Sequence, residues 1–309
     1  MKQKTIRIAT RQSPLALWQA NHIRETLLMK WPSLTIELLP MVTSGDKFLK
    51  DKLLVAGGKG LFVKELEEAL LDNRADFAVH STKDMPAELP SGLSLTAICK
   101  RHNPYDALVS SRFSQCDALP LNAVVGTSSL RRQSQLLAYR PDLQIKTLRG
   151  NINTRLAKLE AGEYDAIILA AAGLERMGLE HSITELLSDD MMLPACGQGA
   201  LCIESRSDDH DMQNIISVLN DPLTSLCVQT ERTVNAQLGG NCHVPLAVFC
   251  KPTSNTQLLL KAKVLNLNGS QIICDTQTGT LDQAHQLAMQ CTENLLKNGA
   301  AQLLERIAP

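Results

Sequence analysis

The sequence predicts an α/β fold with a smaller α+β portion at its C-terminal end, and three observations carry that expectation. Short apolar β-like runs alternate with helical patterns between Thr5 and His80, and β-α-β-α-β is the pattern of an open sheet with helices on both faces. The same alternation recurs after Pro104. From Asp221 the pattern shifts to one long helix and then strands joined at Asn268-Gly269, the strongest hairpin-turn signal in the chain.

Thr5–Ala9 reads as the first strand, and Ser13-Pro14 then supplies an N-cap and a proline at the first helical position. The helix they open runs to about Lys30, with Leu17, Trp18, Ile23, Leu27 and Leu28 able to cover one face. Leu34–Val42 is a second strand, Leu61–Asn73 a helix with Phe62, Leu66, Ala69 and Leu70 at helical spacing, and Asp76–His80 a third strand. In the second series, Asp106–Ser110 and Ala123–Gly126 are strands, and a helix from Ser128 to Tyr139 is stopped by Pro141. Leu143–Leu148 is again strand-like, Asn151–Ala161 helical, and Asp165–Ala170 a buried, almost wholly apolar strand. A turn-rich stretch, Pro194–Gly199, leads into a strand at Ala200–Glu204 that can return to the first sheet. Beyond Asp221-Pro222 come a helix to about Leu238, a Gly239-Gly240 loop, strands at Val244–Cys250, Leu258–Leu267 and Ser270–Thr278, and helices at Leu281–Lys297 and Ala300–Ile307. The division this predicts is 1–99 with 200–217, then 105–193, then 222–309.

With 31 Lys and Arg against 32 Asp and Glu, the net charge of −1 excludes a generic nucleic-acid binder, whose phosphate contacts demand a basic excess. No run approaches the ~18–20 apolar residues of a spanning helix, and the basic start lacks the apolar stretch of a signal peptide, so the expected location is the cytoplasm. Nine cysteines without a C-x-x-C pair do not read as a disulfide framework, and most are expected to be reduced, buried thiols. Scattered histidines give no metal site.

Neutrality overall conceals local asymmetry. Between Gly126 and Lys158 stand seven basic residues, among them Arg131, Arg132, Arg149 and Arg155, and one acid, Asp142. In open α/β sheets ligands sit beyond the carboxyl ends of strands, at helix N-termini. Arg11 and Ser13 follow the first strand; Ser81, Lys83 and Asp84 the third; Thr127, Ser128, Ser129, Arg131 and Arg132 a strand of the second series; Arg149, Gly150, Asn151 and Arg155 the next. Each group alone reads as caps and solvated charge. Four such strand ends together predict an anion-binding crevice. Guanidinium forks suit carboxylate and phosphate alike. Gly57-Gly58-Lys59-Gly60 lacks the spacing of a phosphate loop, and the long polar loop from Thr43 to Gly60 reads instead as a mobile flap. Asp84 is the one carboxylate among these basic loops, suited either to stabilising a developing cation or to pairing with Lys83. Cys242 stands apart from the other thiols in an exposed-looking loop, Leu238-Gly239-Gly240-Asn241-Cys242-His243, and reads as a covalent attachment point better than as a Cys/His nucleophile.

These residues resemble one family, the porphobilinogen deaminases or hydroxymethylbilane synthases. The likeness runs from Ile6 to the C-terminus and is densest in Arg7-Ile8-Ala9-Thr10-Arg11-Gln12-Ser13-Pro14-Leu15-Ala16, Gly57-Gly58-Lys59-Gly60-Leu61-Phe62, His80-Ser81-Thr82-Lys83-Asp84, Gly126-Thr127-Ser128-Ser129-Leu130-Arg131-Arg132, Leu148-Arg149-Gly150-Asn151 and Leu193-Pro194-Ala195-Cys196-Gly197-Gln198-Gly199-Ala200. It implies two periplasmic-binding-protein-like α/β domains around a cleft plus a smaller α+β C-terminal domain. It further implies a metal-free, monomeric, cytoplasmic transferase of haem and porphyrin biosynthesis that joins four porphobilinogen molecules, releases ammonia at each step and yields the linear tetrapyrrole hydroxymethylbilane. The implied cofactor is a covalent dipyrromethane, one per chain, thioether-linked to Cys242; the implied catalytic group is Asp84. Lys83, Ser129, Arg131, Arg132 and Gly150 are implied as cofactor-binding. Arg11, Ser13, Lys59, Phe62, Ser81, Thr127, Arg149, Arg155 and Arg176 are implied for substrate and chain. Asn241, Ala247 and Thr82 depart from residues common in the family. The rival reading is a non-catalytic binding protein or effector domain, which leaves the Gly-Gly-Asn-Cys loop unexplained.

Overall fold

A computed structural model describes residues 5–47, 60, 62–240 and 244–305. The chain divides into two units, residues 1–101 with 200–225 and residues 102–199 with 226–309.

The first unit is built on strands β1 (Thr5–Arg11), β2 (Thr35–Met41), β3 (Phe77–Ser81) and β4 (Leu93–Ile98), with helices α1 (Pro14–Lys30), α2 (Ser44–Lys47) and α3 (Lys64–Leu71) between them. β1 runs parallel to β2 and β3. The late strand Leu201–Arg206 inserts between β3 and β4, antiparallel to both. One face of this sheet packs Ile6, Ile8, Phe77, Val79 and Ile203 against Ala20, Ile23 and Leu27 of α1. The other packs the small residues Ala9 and Ala78 against Leu66, Ala69 and Leu70 of α3. Ser13 caps α1 as its sequence predicts, its side chain accepting from the Ala16 amide. α3 is shorter than the expected Leu61–Asn73, of which Leu61 lies outside the described residues; its C-terminal end is set by Asn73, which adopts a positive φ of 57°.

The second unit opens with β5 (Asp106–Val109), β6 (Val124–Gly126), α4 (Leu130–Tyr139), β7 (Gln144–Lys146), α5 (Ile152–Glu160), β8 (Ala166–Ala170), α6 (Ala171–Arg176) and β9 (Glu185–Leu186). Its first sheet runs β7-β6-β8-β5-β9, three parallel strands followed by an antiparallel one and an edge strand. The first unit follows the same grammar once Leu201–Arg206 is counted as β10. After α7 (His210–Ile216) and α8 (Pro222–Gln237), strands β11 (Leu246–Pro252), β12 (Gln257–Leu265) and β13 (Ile272–Thr280) form an antiparallel meander. It is packed by α9 (Ala284–Lys297) and α10 (Ala300–Glu305) around Val248, Leu260, Val264, Ala288, Cys291 and Leu295. Thus the α/β class with a smaller α+β C-terminal portion is the observed fold. The Asn268-Gly269 turn joins β12 to β13 with Gly269 at φ 72°.

β4, α6, α7 and β9 were not legible in the sequence. α6 follows β8 with no intervening turn residue, so the apolar run conceals the boundary. Among the described cysteines Cys116, Cys202, Cys227, Cys250 and Cys291 are buried, but Cys274 is exposed, because β13 is an edge strand whose alternate residues face outward. No helix among the described residues is long and apolar enough to cross a membrane.

Candidate active site

In the first unit the parallel pairing of β1 with β3 brings two strand ends side by side. Ala9 lies opposite Ala78, so Arg11 and His80, each two residues on, stand level at the carboxyl edge of the sheet. One pocket opens there, lined by Arg11, Ser13, Gln19, Phe62, Ser81 and Asp84 among others. Five sequence-predicted site residues therefore share it. The Arg11 guanidinium lies 4.4 Å from the centroid of the Phe62 ring, a cation-π contact that fixes its plane. Phe62 can sit so close because Gly45 has no side chain; a Cβ there would stand 2.3 Å from the ring. Ser44 donates to Glu65 Oε1 from its amide at 2.7 Å and its hydroxyl at 2.5 Å, tying the start of the predicted flap to α3. Most of that flap, with Lys59, lies outside the described residues, as does Cys242.

Gln19 was not anticipated. It is buried on α1, and its Nε2 donates to Ser81 Oγ at 2.9 Å. Ser81 thus uses an oxygen lone pair and keeps its own proton available to a ligand. Its signal was present: Gln19 interrupts the apolar stripe Ala16, Ala20, Ile23, Leu27. Asp84 ends the single 3-10 turn Thr82–Asp84 that follows β3, and is exposed, with no hydrogen bond or ion pair to any described residue. Lys83 in the same turn is half-buried.

In the second unit the basic residues sort into two kinds. Arg131 and Arg132 are buried. Arg131 donates to the Leu193 carbonyl at 2.6 Å and to Asp106 Oδ2 at 2.8 Å. Arg132 donates to Asp106 Oδ1 from Nε at 3.0 Å and Nη2 at 2.8 Å, and to the Ile168 carbonyl at 2.9 Å. Gln198 adds a bond to Asp106 Oδ1 at 3.1 Å. Burial pulls the Arg131 guanidinium below its ordinary value, with Asp106 opposing. The sequence places Asp106 only at the start of a strand, and its position 25 residues before Arg131 gives no cue to the pairing. The second kind is more open. Arg149 is half-buried and its side chain makes no hydrogen bond or ion pair to a described residue. Gly150 has a φ of +119°, and a Cβ on it would stand 2.7 Å from Thr154, so this loop requires glycine. Arg155 Nε donates to the Gly150 carbonyl at 2.7 Å. Thr127 is buried at the end of β6, and Ser129 caps α4, its Oγ 3.5 Å from the Arg132 amide. Arg176 closes α6 and donates to the Gly199 carbonyl at 2.7 Å.

The chemistry on offer is that of a polyanion site rather than a hydrolytic triad. In the first unit the Arg11 guanidinium and the Ser13 and Ser81 hydroxyls gather at strand ends, and Asp84, unpaired among the described residues, stands with them. No group of three metal-ligating side chains occurs among the described residues.

Comparison with known proteins gives this chemistry a family. The model described as "Porphobilinogen deaminase, dipyromethane cofactor binding domain" matches residues 6–214, and "Porphobilinogen deaminase, C-terminal domain" matches residues 225–297. Porphobilinogen deaminase from Legionella pneumophila strain Paris is 71% identical over 307 residues, covering 99% of both chains. That from strain Philadelphia 1 is 70% identical with the same coverage. Among solved structures, a periplasmic substrate-binding protein from Coxiella burnetii aligns with a TM-score of 0.44 and 13% identity over 71% of this chain and 94% of that one. The two family models together span most of the sequence, and relatives so close match it almost from end to end: the chain belongs to the porphobilinogen deaminase family.

Proposed function

We propose that the chain is a cytoplasmic, monomeric transferase that condenses four porphobilinogen molecules, with loss of ammonia at each coupling, and releases hydroxymethylbilane by adding one water. The observation that carries this reading is the Asp84 carboxylate, exposed and unpaired among the described residues, in the pocket that also holds the Arg11 guanidinium stacked on Phe62. Net neutrality argues against a nucleic-acid partner.

Each porphobilinogen carries an acetate, a propionate and an aminomethyl group on a pyrrole ring. Arg11, Ser13 and Ser81 are the groups we assign to its carboxylates: the guanidinium supplies charge-assisted donors, and Ser81 keeps its proton free because Gln19 already satisfies its oxygen. Departure of ammonia takes the electron pair of the breaking carbon–nitrogen bond and leaves a cationic methylene pyrrole. Asp84 stabilises that cation as a fixed counter-charge and accepts hydrogen bonds from pyrrole N–H groups. In the second unit Arg149 and Arg155 serve the acidic side chains of the growing product, with Gly150 giving the loop its turn. Arg131 and Arg132 share one carboxylate, Asp106, and so leave a positive excess beside Ser129; we assign this excess to cofactor carboxylates.

The donor set suits a dipyrromethane, whose carboxylates need guanidinium and hydroxyl partners and whose pyrrole N–H groups need a carboxylate. Attached to Cys242, that cofactor supplies the pyrrole end to which the first substrate unit is joined. Incubating the purified chain with porphobilinogen tests the reading. Four ammonia molecules released per hydroxymethylbilane formed is the expected stoichiometry, and no ammonia release under any condition would defeat it.

A further inference from the structure

Behind the Asp84 pocket the first unit buries three ionisable side chains that the reaction as described does not use. β10 pairs with β3 so that Glu204 lies opposite Ala78 and Cys202 opposite His80, which sends Glu204 and His80 to the same face of the sheet. This is the α3 face, where Ala9 and Ala78 are small enough to leave room. His80 Nε2 and Glu204 Oε2 are 3.0 Å apart, with 3% and 0% of their side chains exposed. Glu67 projects from α3 into the same region, sensing both charges, and is itself buried. One oxygen of each carboxyl, Glu67 Oε1 and Glu204 Oε1, is shut away from solvent with no hydrogen-bond partner. Among the pocket-lining residues stands His80.

Two buried carboxylates served by one imidazole do not both ionise cheaply. Glu204 has the imidazole; the Glu67 carboxyl makes no hydrogen bond to any described residue. Burial first and the Glu204 charge second push the Glu67 carboxyl up to about 7, with His80 opposing. Other charges on the elements packed around Glu67 are engaged elsewhere. Arg206 of β10 bonds the Leu70 and Ala75 carbonyls and Asp209; Arg7 of β1 bonds Asp76 and the Asn73 carbonyl. Arg11 lies on Phe62. On α3 itself Lys64 pairs with Glu68 and Glu65 with Ser44, while β4 carries no charge.

We propose that Glu67 is a positioning residue for substrate binding, acting on the Asp84 pocket through Glu204 and His80. Neutral, it adds no negative charge behind the pocket and lets the carboxylates of porphobilinogen approach Arg11 and Ser81. Ionised, it adds one buried negative charge and repels them. Porphobilinogen's own carboxylates stay ionised throughout the range in which Glu67 titrates, so the change belongs to the protein. The inference rests on the reading of the chain as a porphobilinogen deaminase.

Steady-state kinetics with porphobilinogen across neutral pH separates the possibilities. For the unaltered protein KM should rise about fivefold between about pH 6 and about pH 8.5 while kcat changes little, as expected for one added charge acting through protein on an anionic ligand. Glu67→Gln and Glu67→Leu, which fix the neutral state by different chemistries, should both hold KM flat at its low value. A KM profile in either folded variant that parallels the unaltered protein overturns the proposal. Carbon-13 NMR of glutamate-labelled protein, with Glu67→Gln for assignment, gives a readout independent of turnover. The Glu67 carboxyl should titrate near neutrality, and titration in the ordinary carboxylate range overturns the proposal even if both variants misfold. Absence of turnover at every pH would defeat the functional reading instead, and the NMR titration then decides the inference alone.

Discussion

Arg132 directs both Nε and Nη2 to one oxygen of Asp106, at 3.0 and 2.8 Å, while Arg131 takes the other oxygen at 2.8 Å. A single carboxylate with no exposed surface thus orients two neighbouring guanidinium groups at the first turn of α4. Removing it leaves two buried cations without their counter-charge. Asp106→Ala should destabilise the protein by about 3–5 kcal/mol, seen as a large fall in Tm or in denaturant midpoint. A cost under ~0.5 kcal/mol would mean that these arginines are held as ordinary surface side chains.

Asp84 has the opposite character, since nothing in the described structure leans on it. Asp84→Asn should leave Tm and cofactor attachment unchanged but lower kcat by about 100-fold or more, as loss of a preorganised counter-charge does. Near-normal turnover would remove Asp84 from the mechanism.

Arg149→Leu should raise KM about tenfold with no fall in Tm, because the half-buried guanidinium has no described partner to lose. Unchanged kinetics would show that this arginine does not reach the chain.

Glu67 also gives a stability signature. Its carboxyl is raised from 4.5 to about 7, so the native state binds the proton more tightly than the unfolded chain. The resulting stabilisation is fully present below about 4.5 and is lost as pH rises through about 7. Glu67→Gln cannot lose a proton, and its Tm relative to the unaltered protein should therefore climb from pH 5 to pH 8. A difference that stays constant over that interval would contradict the assignment.

Much of this was legible in the residues themselves. The Ser13 cap and the Asn268-Gly269 turn follow from local chemistry and are found where the sequence places them, while the first strand, expected over Thr5–Ala9, runs on to Arg11. The neighbouring of Arg11, Ser81 and Asp84 follows once β1 and β3 are taken as parallel, because side chains just beyond parallel strands share one edge. What the sequence concealed are partners distant along the chain. Asp106 and the two arginines meet only through the sheet, and Glu204 reaches His80 only because β10 returns between β3 and β4. The local signals were polar residues inside apolar patterns: Gln19 in the stripe of α1, Glu67 beside Leu66 and Leu70, Glu204 in a strand buried on both faces. A polar residue in such a place demands a partner, but periodicity does not say which. The seven basic residues of 126–158 overstated the free positive charge for the same reason, since Arg131 and Arg132 share Asp106 and Arg140 binds Asp142 at 2.7 Å.

On the function proposed above, the product is built on a covalent primer tethered at Cys242. Intact-protein mass spectrometry of the native chain, alone and after incubation with porphobilinogen, measures it directly. The expected result is a mass above that of the sequence by one dipyrromethane, further ladder steps of single pyrrole units on adding substrate, and loss of both in Cys242→Ser. A native chain that weighs only its sequence mass before and after porphobilinogen would contradict it.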